Sequence, residues 1–162
     1  LALAEQARVE VAADTSLQAH PSEITYNSGG SSISRIKGSE RFVLINHIGR
    51  KTGRARQAVV EVVQHNAGSG AYVVASGFGE KADWYQNLIA HPEVTIQVGR
   101  KRMTARAERL SLPQATDVML DYNRRHPAAL RALSGILGYR TDGSEADVRF
   151  FAEVIPIIAL TP

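Results

Sequence analysis

The middle of the chain alternates apolar and polar residues with a period of two. Residues 42–48 form an apolar run, broken by Asn46 and His47, that reads as a buried strand. Residues 57–65 alternate, with Ala58, Val60 and Val62 on one side and Val59, Glu61 and Val63 on the other. Residues 71–76 follow a Gly-rich turn at 66–70, the signature of a hairpin. Val94, Ile96 and Val98 alternate with Thr95 and Gln97. Gly99-Arg100 then turns the chain into Met103, Ala105 and Ala107, which alternate with Arg102, Thr104 and Arg106. One face apolar and one face polar is the pattern of an antiparallel meander.

Elsewhere the period lengthens to that of a helix. Residues 1–14 space Leu1, Ala4, Ala7 and Val11 along one side of a short helix, and residues 15–33, rich in Ser, Gly, Asn and Pro, read as a loop. Asp83 is positioned to cap a helix running to Ile89 and stopped by His91-Pro92. Ser111 and Gln114 form a capping-box pattern ahead of Ala115, Val118, Met119 and Tyr122. Pro127 opens a further helix carrying Leu130, Leu133, Ile136 and Leu137, ended by Gly138, and Ser144 with Asp147 opens a last one toward Phe151. The apolar stretch 154–160 is strand-like, and Pro156 is expected to restrict it to an edge or a bulge. Short turns between strands, with helices arriving late, predict an antiparallel α+β barrel and disfavour a doubly wound α/β sheet. Residues 1–40 read as a helix and loop lead-in, and residues 41–162 as one barrel domain.

Composition narrows the function classes. At 162 residues, 44% hydrophobic and 22% charged, the chain suits one globular domain. The formal charge of +3 is too small for a general nucleic-acid surface, and the aromatics that would stack bases are not interleaved with the cations, so no nucleic-acid partner is expected. With no cysteine, thiolate chemistry and disulfides are excluded, and a reducing cytoplasm is the expected setting. No apolar run approaches the roughly 20 residues that span a bilayer, which leaves peripheral membrane contact open. The five histidines show no metal-ligand spacing, so no metal is expected. Ser76 and Ser134 have no persuasive His/Asp partners for a hydrolase, and no side chain stands out as a catalytic acid or base.

Two segments carry candidate chemistry. Gly49-Arg50-Lys51-Thr52-Gly53-Arg54-Ala55-Arg56 connects two strands and packs four cations into seven residues. Such charges repel one another unless solvent or an anion relieves them, and the glycines let backbone amides turn toward a ligand. An anion site and a solvated hairpin tip weigh equally on this ground. The second segment runs from Ala75, Ser76, Gly77, Phe78 and Gly79 through Lys81 to Asp83 and Trp84, the only tryptophan. A strand end, a Gly-rich loop and a helix N-terminus together suit an anion, yet a core tryptophan behind a helix cap is the simpler reading.

The two segments together resemble the deazaflavin-dependent nitroreductases, also described as F420H2-dependent quinone reductases. The resemblance rests on GRKTGRARQ after an apolar strand, on YVVASGFGEKADWYQNLIAHPEVTIQVG, and on the closing IPIIAL; it covers about residues 41–110 plus the last strand. It implies a split β-barrel of the FMN-binding type with flanking helices. It also implies a reduced deazaflavin, coenzyme F420, as hydride donor to a quinone, nitroaromatic or other unsaturated small-molecule acceptor. Carried over, Arg50, Lys51, Thr52, Arg54 and Arg56 would hold the cofactor's phosphate and acidic tail. Ala75, Ser76, Gly77, Phe78 and Gly79 would bring amides near the phosphate or ring, with Lys81 and Trp84 beside them. Many relatives have Lys directly after the Ser of the Ala-Ser pair where this chain has Gly77, and several late tyrosines where residues 126–145 offer only Tyr139. FMN or FAD on the same barrel, and a non-enzymatic carrier of a flavin or apolar ligand, are the alternatives. A homodimer is compatible with the reading.

Overall fold

A computed structural model describes residues 40–128, 131 and 138–162. The expected N-terminal helix and loop, and most of the helix expected from Pro127, lie outside the described residues. Among these residues six strands run in chain order as β1 (Phe42–Ile48), β2 (Ala55–His65), β3 (Tyr72–Ala75), β4 (Glu93–Val98), β5 (Lys101–Arg109) and β6 (Ile157–Thr161). A single 3₁₀ turn (Gly79–Lys81) precedes α1 (Asp83–Ala90); α2 (Leu112–Arg125) and α3 (Glu145–Val154) follow β5. The strands close a barrel in the order β1-β2-β3-β6-β5-β4, every pair antiparallel.

The period-two reading accounts for the barrel interior. Val43 and Ile45 of β1, Ala58 and Val60 of β2, Val94, Ile96 and Val98 of β4, and Ala105 and Ala107 of β5 point into one cluster. Trp84, Tyr85 and Leu88 of α1 join it, so α1 packs against the barrel core instead of lying free on its surface. Residues 102, 104, 106 and 108 of β5 are exposed, as a solvated strand face requires.

Strands β2, β3 and β6 are covered on both faces. Val63, Val73, Ala75 and Ile157 face outward into a second cluster under α2 and α3, with Met119, Tyr122, Val148 and Phe151. Val63 faces outward, opposite Val62, as alternation expects, and a register shift between Val62 and Gln64 interrupts the pairing with β3 there.

The helix ends divide. Ser144 accepts a hydrogen bond from the N–H of Asp147, and Gln114 Oε1 accepts from both the N–H and the hydroxyl of Ser111, as expected. Asp83 does not cap α1. The N-cap position is Ala82, and Asp83 is the first helical residue, its carboxylate engaged elsewhere. Pro156 corrects a second expectation. Strand β6 begins one residue after it and pairs with β3 on one side and β5 on the other, so it is no edge strand. The proline lies outside the ladder, and its carbonyl accepts the N–H of Ser76.

Candidate functional site

The basic connection is a tight loop between β1 and β2. Gly49 O accepts from Gly53 N–H at 2.8 Å and from Thr52 N–H at 3.2 Å, and Gly49 N–H donates to Arg54 O at 2.8 Å. The glycines are required by this geometry. A Cβ on Gly49 would stand 2.9 Å from Thr52 Oγ1, and Gly53 adopts φ +65°.

Arg50 turns back from the loop onto α1. Its backbone N–H and its Nη1 both donate to Asn87 Oδ1, each at 3.0 Å, and Nη1 lies 2.8 Å from Asp83 Oδ1. This is the contact that joins the two motif-bearing segments. The four cations therefore separate into two kinds. Arg50 is committed to α1, whereas Lys51, Arg54 and Arg56 make no ion pair or side-chain hydrogen bond among the described residues. Lys51, Thr52 and Arg54 are exposed, and Arg56 is half-buried.

His47 and Asn87 stand behind the loop, and neither was singled out from the sequence. His47 is 2% exposed on the same face of β1 as Val43 and Ile45, directly across from Arg56 in the β1–β2 register. Its Nδ1 is 3.3 Å from Asn87 Nδ2, and its Nε2 is buried with no partner. Burial, and then the charge of Arg56, push its pKa from 6.5 down to about 4, so the ring is neutral near neutral pH. The sequence signal was present: Asn46 and His47 interrupt an apolar strand. Asn46 faces the other way, accepting from Gln57 Nε2 at 2.7 Å and donating to Thr95 O.

The second segment is folded more tightly than a ligand loop reads in sequence. Ala75, Ser76 and Gly77 are buried, and Phe78 and Gly79 are half-buried. The Ser76 hydroxyl donates to Gly79 O at 2.7 Å, Gly79 N–H donates to Ser76 O, and Ser76 N–H is taken by Pro156 O. Two of the amides expected to face a phosphate are thus bonded within the fold. Lys81 is exposed on the 3₁₀ turn. Trp84 is 3% exposed in the barrel core, its Nε1 without a hydrogen-bond partner. Arg109, at the end of β5, ties this region down from the other side through Glu80 and the Tyr85 hydroxyl.

Among the described residues, no three His, Asp or Glu side chains converge to hold a metal ion, and no helix is long and apolar enough to cross a membrane. A groove of about 350 Å³ lies away from the basic loop, between α2 and α3, lined by Leu112, Thr116, Arg149 and Glu153 among others.

Comparison with known proteins supplies an independent line. The sequence profile of the family described as F420H(2)-dependent quinone reductase matches residues 19–133, more than half of the chain. Among solved structures, an F420-H2 dependent reductase (FDR-A) superposes with a TM-score of 0.53 at 21% identity, over 75% of this chain and 95% of its own. A protein described as a domain-swapped dimer gives 0.53 at 18% identity, over 87% and 99%. HutZ, a heme storage protein from Vibrio cholerae, gives 0.52 at 14%, over 80% and 87%. At these identities the structural likeness speaks for the split-barrel fold alone.

Proposed function

The chain belongs to the F420H(2)-dependent quinone reductase family, and we propose that it passes hydride from reduced F420 to a quinone, nitroaromatic or other unsaturated small molecule. The observation that carries the reading is the division of labour in the basic loop. Arg50 anchors the loop to α1, which leaves three cations close in sequence, Lys51 and Arg54 of the loop and Arg56 at the start of β2, without carboxylate partners among the described residues. Such a set of cations fits a phosphate and an acidic tail, because charge-assisted bonds to anions relieve its repulsion.

When bound, the reduced deazaflavin supplies the hydride, and the protein supplies orientation and electrostatics. In this reading Lys51, Arg54 and Arg56 bind the anionic portion, with Thr52 and Lys81 at its margins. Arg50 fixes where the loop stands. The Ala75–Gly79 turn, with Ser76, Gly77 and Phe78, forms a rigid wall beside α1. Trp84 acts from the core by holding α1 on the barrel. The neutral His47 adds no charge to compete with the arginines.

Titrating the protein with F420 while following cofactor fluorescence tests the binding half, and no binding up to high micromolar would sink the proposal. Oxidation of F420H2 by menadione, dependent on the protein, tests the transfer half. A colourless preparation that ignores FMN and FAD is the expected companion result. We also propose a homodimer, on the likeness to a solved domain-swapped dimer; a monomeric mass by light scattering would overturn it.

A further inference from the structure

The basic loop has a fixing device behind it, buried between β1 and α1. Asn87 is 4% exposed on α1, and its amide is read from both sides. On one side its Oδ1 accepts two donors of Arg50, the backbone N–H and Nη1–H. On the other its Nδ2 faces His47 Nδ1 at 3.3 Å. The orientation of the amide follows from the chemistry. Reversed, its NH₂ would meet two N–H donors of Arg50, which have no lone pair to offer. With Nδ2 thus directed at His47, Nδ1 of that ring must be the acceptor, so the proton sits on Nε2 and the ring is neutral.

We propose that His47 and Asn87 are positioning residues of the cofactor loop: the neutral, Nε2-protonated ring orients the Asn87 amide, and that amide holds Arg50 and the loop behind it. The inference rests on the basic loop being the anion-binding element, but the linkage itself is a property of the chain alone. The alternative, a buried histidine that merely fills space, would not depend on which ring nitrogen carries the proton. A proton on Nδ1 would set donor against donor at Asn87, and the amide could satisfy His47 only by turning its NH₂ toward Arg50. The charged groups near this chain of contacts are Arg56, across from His47 on β2, and Asp83, which shares Arg50. Arg56 opposes the second proton on the ring, and Asp83 keeps Arg50 turned inward. Desolvation acts in the same direction and holds the ring neutral through the neutral pH range.

The test reads the ring, the loop and the ligand separately. Nitrogen NMR of the wild-type protein at pH 7 should show the Nε2-protonated tautomer for His47; the Nδ1-protonated tautomer overturns the proposal. Asn87→Asp puts a carboxylate against Nδ1 and should raise the proton affinity of His47 at least tenfold, and an unchanged titration overturns the linkage. Amide exchange of Arg50 should quicken at least tenfold in Asn87→Leu. It should stay within about threefold of wild type in His47→Gln, whose carbonyl can accept from Asn87 but cannot titrate. Exchange unaltered in Asn87→Leu would mean that the amide does not hold the loop. His47→Leu, which offers no acceptor, should lose affinity for F420 at least tenfold, and His47→Gln should restore most of it. Equal affinities in the two variants would overturn the functional half. If the wild-type protein ignores F420 while the tautomer and exchange results stand, the reading of the cofactor fails and the positioning device survives.

Discussion

His47 shows how one buried side chain ties stability to pH. Its folded-state pKa, about 4, lies below the ordinary 6.5, so the unfolded chain holds the proton more tightly. The stabilisation is therefore whole above pH 6.5 and is lost as pH falls from 6.5 toward 4, by about 3 kcal/mol at the lower limit. Urea unfolding at pH 7 and pH 4.5 should show this loss in the wild type, and His47→Gln should remove most of it. A wild-type midpoint that does not move would mean the ring is not held neutral. At the same scale, the arginines should separate by experiment. Arg54→Ala and Arg56→Ala should each weaken F420 binding by about 1.5–3 kcal/mol, and more weakly at high salt, because each removes charge-assisted bonds at a partly exposed site. Arg50→Ala should also speed amide exchange through residues 49–54, because Arg50 side-chain contacts fasten the loop to α1. Identical effects of all three would erase the distinction between anchor and ligand-binding cations.

Whole elements were legible from the sequence wherever local pattern decides. Alternation gave the strands within a few residues, the Gly99-Arg100 turn fell between β4 and β5, and the signals at Ser111 and Ser144 marked two helix starts that the structure bears out. The misreadings involve partners distant in sequence. Asp83 looks like a cap because an acid before a helix usually is one, but Arg50 lies 33 positions upstream and claims its carboxylate. Pro156 looks like an edge marker, yet the strand starts just beyond it, so no ladder N–H is missing. Asn87 reads as an ordinary polar position on a helix until β1 and the basic loop close over it. The loop itself makes a clean test of local geometry. Gly53 has φ +65° with nothing within 4 Å of where a Cβ would be, so Gly53→Ala would cost about 1–2 kcal/mol from backbone strain and not from a clash. Denaturant midpoints measure it, and a neutral effect would show that the loop relaxes out of the left-handed conformation.

At the scale of the molecule, two apolar clusters share strands. Strand β3 sends Tyr72 and Val74 into the barrel, and Val73 and Ala75 out under the helices; β6 does the same with Ile158 and Leu160 inward and Ile157 outward. A layer stitched through common strands cannot detach without exposing one face of each. Strands β3 and β6 also flank the Ser76–Gly79 turn, whose amide at Ser76 is held by Pro156 next to β6. The helical layer therefore supports the Ser76–Gly79 turn, although α2 and α3 contribute none of the four cations of the basic segment. Met119→Ala in α2 and Ile96→Ala in the barrel, both at 1% exposure or less, should each cost about 2–5 kcal/mol. If the clusters are one cooperative unit, both variants unfold in a single transition, with helix and tertiary signals coincident. Two transitions in Met119→Ala, the helical signal melting first while α1 and the basic loop keep their exchange protection, would mean that the outer layer is separable. The site would then depend on the barrel alone.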